Sequence, residues 1–214
     1  MVSDKILAKL VVIVIIISAI SVVTTLFDID RLGSMMNVIM TVMGYDYTTT
    51  TTVCSAGITV TDDSIDFGSG YVWANATSAI LDSSNSGVTN GSWKGVEDRI
   101  TIENTGTCVM KVTVAMDSAD AEAFLCGTGD CPNTATAKVE VEIDMVVGVA
   151  CTSGLQNTYT TLADANGKNT VTLCGEMSYG SGNDQMLMSM RLTIPYDART
   201  GSKSETLTFT GTAV

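Results

Sequence analysis

The 214-residue sequence contains no histidine and no Cys-x-x-Cys pair. Without histidine, neither a Ser-His-Asp triad nor a Cys-His nucleophile pair can form, and this excludes two common hydrolase mechanisms. The usual ligand spacings of a zinc site are missing for the same reason. We therefore expect no zinc centre, no catalytic residues of these kinds and no cofactor.

Basic residues are also scarce: 11 Lys and Arg stand against 23 Asp and Glu, which gives a net charge of −12. A nucleic-acid-binding protein needs a basic surface to displace counterions, so this function class is excluded. A pair of carboxylates could still support glycoside hydrolysis. However, most acidic residues fall in turns or at outward strand positions, where solvated surface is the ordinary explanation. The sequence therefore predicts a protein that is not an enzyme.

The run from Leu10 to Phe27 carries no charge, in contrast to the acidic remainder. As a helix it would extend roughly 27 Å, close to the thickness of a bilayer core. It is longer than the apolar stretch of a secretory signal peptide and no A-x-A cleavage pattern follows it, which disfavours removal. Lys5 and Lys9 precede the run and Asp28 follows it, so the positive-inside rule predicts a cytoplasmic N-terminus and an external remainder.

After the apolar run, hydrophobic residues recur every three or four positions, from Ile29 to Met43. This spacing predicts an amphipathic continuation of the helix, so that residues 1–46 form one anchor or assembly helix. Its apolar stripe either packs on its own domain or membrane, or forms a seam between subunits. The residues that we expect in anchoring or assembly are Leu10, Val14, Ile17, Phe27, Leu32, Met36, Ile39 and Met43.

Residues 47–53 include five consecutive threonines and lack any packing periodicity, which predicts a linker. From Cys54 the apolar residues alternate with polar ones, which is typical of strands with one buried and one solvated face. In KVEVEIDMVV, for example, Val139 and Val141 are expected to point inward and Glu140 outward. The segment from Ile100 to Met116 reads as a hairpin around an Asn104-Thr105-Gly106 turn. Residues 54–214 therefore predict one mainly β domain, an antiparallel sandwich or barrel, and of these we expect the sandwich.

Six cysteines lie in this predicted external domain, and an even number there indicates a disulfide framework. Cys126 and Cys131 flank a short Gly-rich turn that could bring them together. Cys151 and Cys174 lie at the ends of two strand-like segments. Cys54 and Cys108 are then paired by elimination.

Two kinds of surface site are suggested by short motifs. Two carboxylate-rich loops are candidates for calcium binding, with Asp62, Asp63 and Asp66 in one loop and Asp164 and Asn166 in the other, and ordinary turn formation is the alternative explanation for both. The sequons at Asn75 and Asn90 are candidate N-glycosylation sites, so glycans are possible partners.

Two segments, RITIENTGTCVMKVTV and MRLTIPYDARTGSKSETLTFT, are similar to Ig-like β-sandwich modules of exported prokaryotic surface proteins. The layout of an apolar helix, an amphipathic continuation and a β-sandwich resembles type IV pilin-like subunits, archaeal ones especially. This resemblance implies apolar helices bundled in a filament core, with an Ig-like or jelly-roll-like sandwich facing outward.

The sequence thus predicts a structural protein of the cell surface that associates with itself through the N-terminal helix and contacts the membrane through residues 10–27. The alternative is an adhesin, a membrane-anchored monomer whose sandwich binds a glycan, a cation or another cell.

Overall fold

The computed structural model describes residues 54–95, 97–127, 131, 136–180 and 182–214. This part of the chain is mainly β, as the period-two alternation predicted, and its strands pair antiparallel in two sheets. Its elements are β1 (Ile58–Asp62), β2 (Ser78–Asp82), β3 (Gly87–Thr89), β4 (Ile100–Asn104), β5 (Met110–Met116), α1 (Ala121–Cys126), β6 (Lys138–Val146), β7 (Cys151–Ser153), β8 (Thr160–Asp164), β9 (Gly167–Lys168), β10 (Val171–Met177), β11 (Gln185–Pro195) and β12 (Leu207–Ala213).

The larger sheet has eight strands and is organised around β11, its longest strand. The order along its main path is β1-β4-β11-β6-β8-β9, and β2 and β3 form a side branch that pairs with the far end of β11. We call this the large sheet. The small sheet contains the other four strands in the order β12-β5-β10-β7.

The inward faces of the two sheets share one hydrophobic core. Val139 and Val141, which were predicted to point inward, are buried, and alternating residues of the other long strands are buried in the same way. The large sheet contributes Ile100, Ile102, Val139, Val141, Ile143, Met186, Met188, Met190 and Leu192, and the small sheet contributes Met110, Val112, Val114, Met116, Val171, Leu173 and Met177.

The hairpin predicted from Ile100 to Met116 is wrong. β4 pairs with β1 and β11 in the large sheet, whereas β5 pairs with β10 and β12 in the small sheet. The segment between them is therefore an arch that crosses from one sheet to the other. Turn residues alone do not distinguish an arch from a hairpin, because both need the chain to reverse.

Asn104 holds this arch together. Its side chain is 1% exposed, and its amide nitrogen donates to the carbonyls of Cys108, Met177 and Ser178 at 3.0–3.1 Å. Its side-chain oxygen accepts from the backbone N–H of Gly106 at 3.0 Å. A buried polar group is stable when its bonds are made. Here one side chain from the large sheet bonds backbone groups of the arch and of the end of β10 in the small sheet.

The predicted N-terminal helix and Thr-rich linker lie outside the described residues. So do all eight expected assembly or anchor residues, which are Leu10, Val14, Ile17, Phe27, Leu32, Met36, Ile39 and Met43. Within the described ranges no helix has the length and hydrophobicity needed to cross a membrane.

Candidate functional site

The six cysteines form three disulfides, in the pairs that the sequence analysis favoured. Cys54–Cys108 ties the chain ahead of β1 to the arch, with its Cα atoms 5.4 Å apart. Cys151–Cys174 joins the neighbouring strands β7 and β10, and Cys126–Cys131 closes the end of α1. Disulfides form and persist in oxidising compartments, so this framework indicates an extracellular or equivalent environment.

The first predicted calcium loop is organised by turn hydrogen bonds. Asp66 accepts from the N–H of Gly68 at 2.8 Å, and its own N–H donates to the carboxylate of Asp98 at 3.1 Å. Asp62 and Asp63 are exposed at the end of β1 and in the loop that follows. Such a local bond from an aspartate to a backbone N–H two residues on is ordinary turn chemistry.

The second predicted calcium loop has the same explanation. Asp164 accepts from the N–H of Asn166 at 2.7 Å, which closes the tight connection between β8 and β9. Among the described residues, no three side chains from His, Cys, Asp or Glu lie in an arrangement that could hold a metal ion. The structure therefore does not bring either set of candidates together as a cation site.

The two sequons lie close together, on adjacent chain segments that include residues 71–77 and 90–93. The N–H of Trp73 donates to the carbonyl of Asn90 at 3.0 Å, and Val72 forms a bridge with Gly91, so the two segments run side by side. Asn75 and Asn90 are both exposed there. Thr77, the hydroxyl residue of the first sequon, is also exposed and accepts at its carbonyl from the N–H of Tyr196.

Three large aromatic side chains are exposed in this region. Tyr71, Trp73 and Tyr196 have exposed fractions of 67%, 47% and 51%. Exposed aromatic rings grouped in one region are a common feature of binding surfaces. We call residues 71–77, 90–93 and 196 the aromatic ridge.

Trp93 anchors the aromatic ridge to the core. A Cβ atom added at Gly70 would lie 2.3 Å from the Trp93 indole, and one added at Gly91 would lie 2.7 Å from it. The indole is therefore in close contact with both glycine backbones, which no other residue type would allow without a shift. The two glycines thus fix the position of the ridge that carries the sequons.

A cluster of charged and polar side chains lies on the outer face of the large sheet. Arg191 of β11 lies between Asp82 on β2 and Glu140 on β6 in the strand register. Its guanidinium donates to Glu140 at 2.8 Å and stacks over the ring of Tyr159, 4.1 Å from the centroid. The hydroxyl of Tyr159 donates to Asp82 at 2.6 Å. We call these four residues the arginine cluster.

Glu140 departs from the sequence prediction, which placed it on the solvated face. It does point outward, yet it is only 6% exposed, because Arg191 on one side and Lys138, at 2.7 Å, on the other cover its carboxylate. Burial of a charge is tolerated here because the charge is paired on both oxygens.

Arg99 extends this polar network toward the end of β6. It pairs with Asp144, donates to Glu97 at 2.9 Å and donates to the carbonyl of Ser84 at 2.6 Å. Three chain segments that are distant in sequence therefore meet at one guanidinium group. Its planar fork of donors suits this multiple contact.

The pKa of Glu142 and the pKa of Tyr159 are both raised in this network. Burial, with the nearby negative charges of Asp144 and Asp82, raises the pKa of Glu142, although Tyr159 and Arg191 oppose the rise. Burial and the hydrogen bond to Asp82 raise the pKa of Tyr159. Asp82 accepts from the Tyr159 hydroxyl, Glu140 pairs with Arg191, and Asp144 pairs with Arg99.

No known protein family matches the chain, and no curated protein or solved structure is significantly similar to it.

Proposed function

We propose that this chain is a non-enzymatic structural subunit of the cell surface, which assembles through its N-terminal apolar segment and displays the β domain outward. In this proposal residues 10–43 form the contact between subunits and residues 10–27 contact the membrane before assembly. The β domain serves as an Ig-like coat, as in the archaeal pilin-like subunits that the sequence resembles.

One observation carries the proposal: an uncharged run of bilayer length, residues 10–27, precedes a disulfide-braced, acidic β domain in the same chain, with residues 28–53 between them. The three disulfides support an exterior location, since thiols of cytosolic proteins are kept reduced. The chain has a net charge of −12, and an acidic surface keeps such domains soluble and apart, so a separate apolar segment is the natural place for their association. The sequons on the aromatic ridge are exposed, as a coat that carries N-glycans requires.

The second candidate function, an anchored adhesin, is favoured by a different observation. Tyr71, Trp73 and Tyr196 are all exposed on the aromatic ridge, and the Trp93 indole packs closely against the backbones of Gly70 and Gly91 beside them. Rigid aromatic groups lose little entropy when they bind, so they suit contact with a sugar ring or a protein surface.

Charged substitutions in the predicted amphipathic stripe distinguish the two functions. Met36→Glu or Ile39→Glu should abolish polymers, because a carboxylate would be buried in the contact between subunits. Ser34→Glu is the matched control, since Ser34 lies on the opposite side of the predicted helix from Met36. We expect electron microscopy to find filaments or lattices for wild type and Ser34→Glu only, with native disulfides in every variant.

Polymers that persist in both stripe variants would contradict assembly through this segment. If instead Trp73→Ala or Tyr71→Ala abolished attachment to cells while stripe variants had no effect, the adhesin would be the correct function.

A further inference from the structure

β12 is an edge strand of the small sheet, and it differs from every other described edge. All seven of its residues pair in register with β5 without a bulge. Edge strands of soluble proteins are usually protected by charge, proline, a bulge or short length. From Thr206 to Val214 the chain has no charged residue and no proline.

The other described edges do carry such protection. β1 contains a register shift and ends in an acidic residue, Asp62, followed by Asp63. β9 has only two residues and includes Lys168, and β3 and β7 have three each. Only β12, among the strands that the structure describes, combines length, regularity and neutrality at an edge.

Only alternate residues of β12 form backbone hydrogen bonds with β5, and this alternation determines which backbone N–H and C=O groups face outward. Asp117 donates to the carbonyl of Thr206, and Val214 donates to the carbonyl of Val109, so the even-numbered residues exchange bonds with β5. In an antiparallel pair the residues between them direct their N–H and C=O groups to the opposite side. The outward backbone groups therefore belong to Leu207, Phe209, Gly211 and Ala213.

We propose that this edge pairs with the β12 strand of a second copy, antiparallel and about a two-fold axis at Thr210. This register places Thr210 opposite its own counterpart and Thr208 opposite Thr212, and it uses every outward amide from Leu207 to Ala213. Cross-strand threonine pairs are favourable. A two-fold interface requires a surface that is complementary to itself. The outward face of this strand meets that requirement, because each threonine lies opposite a threonine of the second copy.

The inner face of β12 complements itself in the same register. Phe209 lies opposite Gly211 and Leu207 opposite Ala213, so each large side chain meets a small one. A shift by two residues would instead set Phe209 against its own counterpart or against Ala213, and would leave end residues unpaired. Because the whole chain is strongly acidic, a neutral edge is also where two copies approach with least repulsion.

The pairing does not use residues 10–43, so it is independent of the proposed assembly through the N-terminal segment. It would bring β domains together in pairs and make one continuous sheet from two small sheets. The partner is a second copy of this chain and the bonds are mainly between backbones.

Register-specific disulfide trapping tests the proposal, with the full chain in detergent micelles under a mild oxidant. Thr210→Cys places two cysteines directly opposite each other, and we expect disulfide-linked dimers on a non-reducing gel. In Thr208→Cys, the matched control, the two cysteines would be about 14 Å apart, too far for a disulfide. A mixture of Thr208→Cys with Thr212→Cys should restore the cross-link, and peptide mapping should find the three native disulfides intact.

Equal cross-linking of Thr208→Cys and Thr210→Cys would mean random collision and would overturn the proposal, as would no cross-link in any variant. Amide hydrogen exchange of the wild-type chain gives an independent readout. Protection of Phe209 and Gly211 should increase with protein concentration. Protection that is already complete at the lowest concentration would mean that another part of the same chain covers the edge, and it would also overturn the proposal.

Discussion

The two sheets of this domain differ on their outer faces. The outer face of the large sheet carries the arginine cluster and Arg99, and its outward residue Glu140 is buried beneath Arg191 and Lys138. The small sheet presents mainly threonine outward, from β5, β10 and β12, and ends in β12, whose outer edge no described strand pairs with. The large sheet therefore pairs these charged groups within the chain, whereas the outward backbone groups of β12 have no partner among the described strands.

The largest effect is expected at Asn104, where the two sheets are joined. Asn104→Leu would leave the carbonyls of Cys108, Met177 and Ser178 without their donor, and we expect it to lower the free energy of unfolding by about 3 kcal/mol. Urea unfolding followed by circular dichroism measures this. Thr105→Val, at the exposed neighbouring position, is the control and should change little. Equal midpoints for the two variants would mean that the arch does not depend on the Asn104 side chain.

The arginine cluster should be the next most sensitive feature. Arg191→Met removes one of the two cations that pair with the buried carboxylate of Glu140 and leaves only Lys138 beside it. We expect this variant to lower the free energy of unfolding by about 2 kcal/mol. The double variant Arg191→Met with Glu140→Met should recover most of this loss, because it removes both charges. Lys111→Met, on the exposed face of the small sheet, should change stability by less than about 0.5 kcal/mol. If the double variant were as unstable as the sum of its single variants, the two side chains would not be coupled.

Glu142 provides a pH-dependent test with a smaller effect. Its pKa is raised in the folded state, so the folded protein holds this proton more tightly than the unfolded chain does, and stability falls as pH rises through the interval between the two values. Glu142→Gln should therefore be more stable than wild type at neutral pH, and the difference should disappear at a pH where the carboxyl is protonated in both states. Unfolding at several pH values between neutral and acidic measures this. Glu176→Gln, exposed on β10, is the control on the small sheet. A neutral-pH loss of stability in Glu142→Gln would reverse the predicted sign.

The smallest effect is expected at Ser189. Its hydroxyl is buried and has no hydrogen-bond partner among the described residues. Ser189→Ala should raise the free energy of unfolding by about 0.5–1 kcal/mol, because it removes an unsatisfied polar group. Ser83→Ala is the matched control, since that buried hydroxyl accepts from the N–H of Met190 at 2.9 Å and its loss should destabilise. Destabilisation of the same size in both variants would imply that Ser189 has a partner after all.

The core could be predicted from sequence because alternation reports directly on burial. Val139, Val141 and Ile143 lie at every second position and are all buried, as are the alternating methionines of β11. Such a pattern depends only on the two-residue period of a strand, which holds in any sheet.

Which strands pair could not be predicted in the same way. The Asn104-Thr105-Gly106 turn looks identical in sequence whether the chain returns in the same sheet or crosses to the other one. The crossing to the other sheet is accompanied by hydrogen bonds from Asn104 to the carbonyls of Met177 and Ser178, which lie more than 70 positions further along the chain. Only the folded structure brings these groups together.

The outer-face polar groups were missed for a related reason. Glu140, Arg191 and Tyr159 are ordinary surface residues when each is considered alone, and their pairing depends on the order of β6, β8 and β11 in the large sheet. The sequence does place Lys138 and Glu140 on the same face of β6, and it places Arg191 on the outward face of another strand. The pairing of Arg191 with Glu140 can be identified only when the register between β6 and β11 is known. The calcium candidates show the reverse case, because Asp66 and Asp164 had a sufficient local explanation as turn residues.

The central claim is that the N-terminal apolar segment assembles these β domains at the cell surface. The most direct test is electron microscopy of material sheared from the native cell surface, with mass spectrometry of the same material to detect residues 10–27. The account predicts filaments or lattices whose subunits retain that segment. Dispersed single copies that remain in the membrane fraction, or assemblies whose subunits lack residues 10–27, would contradict it.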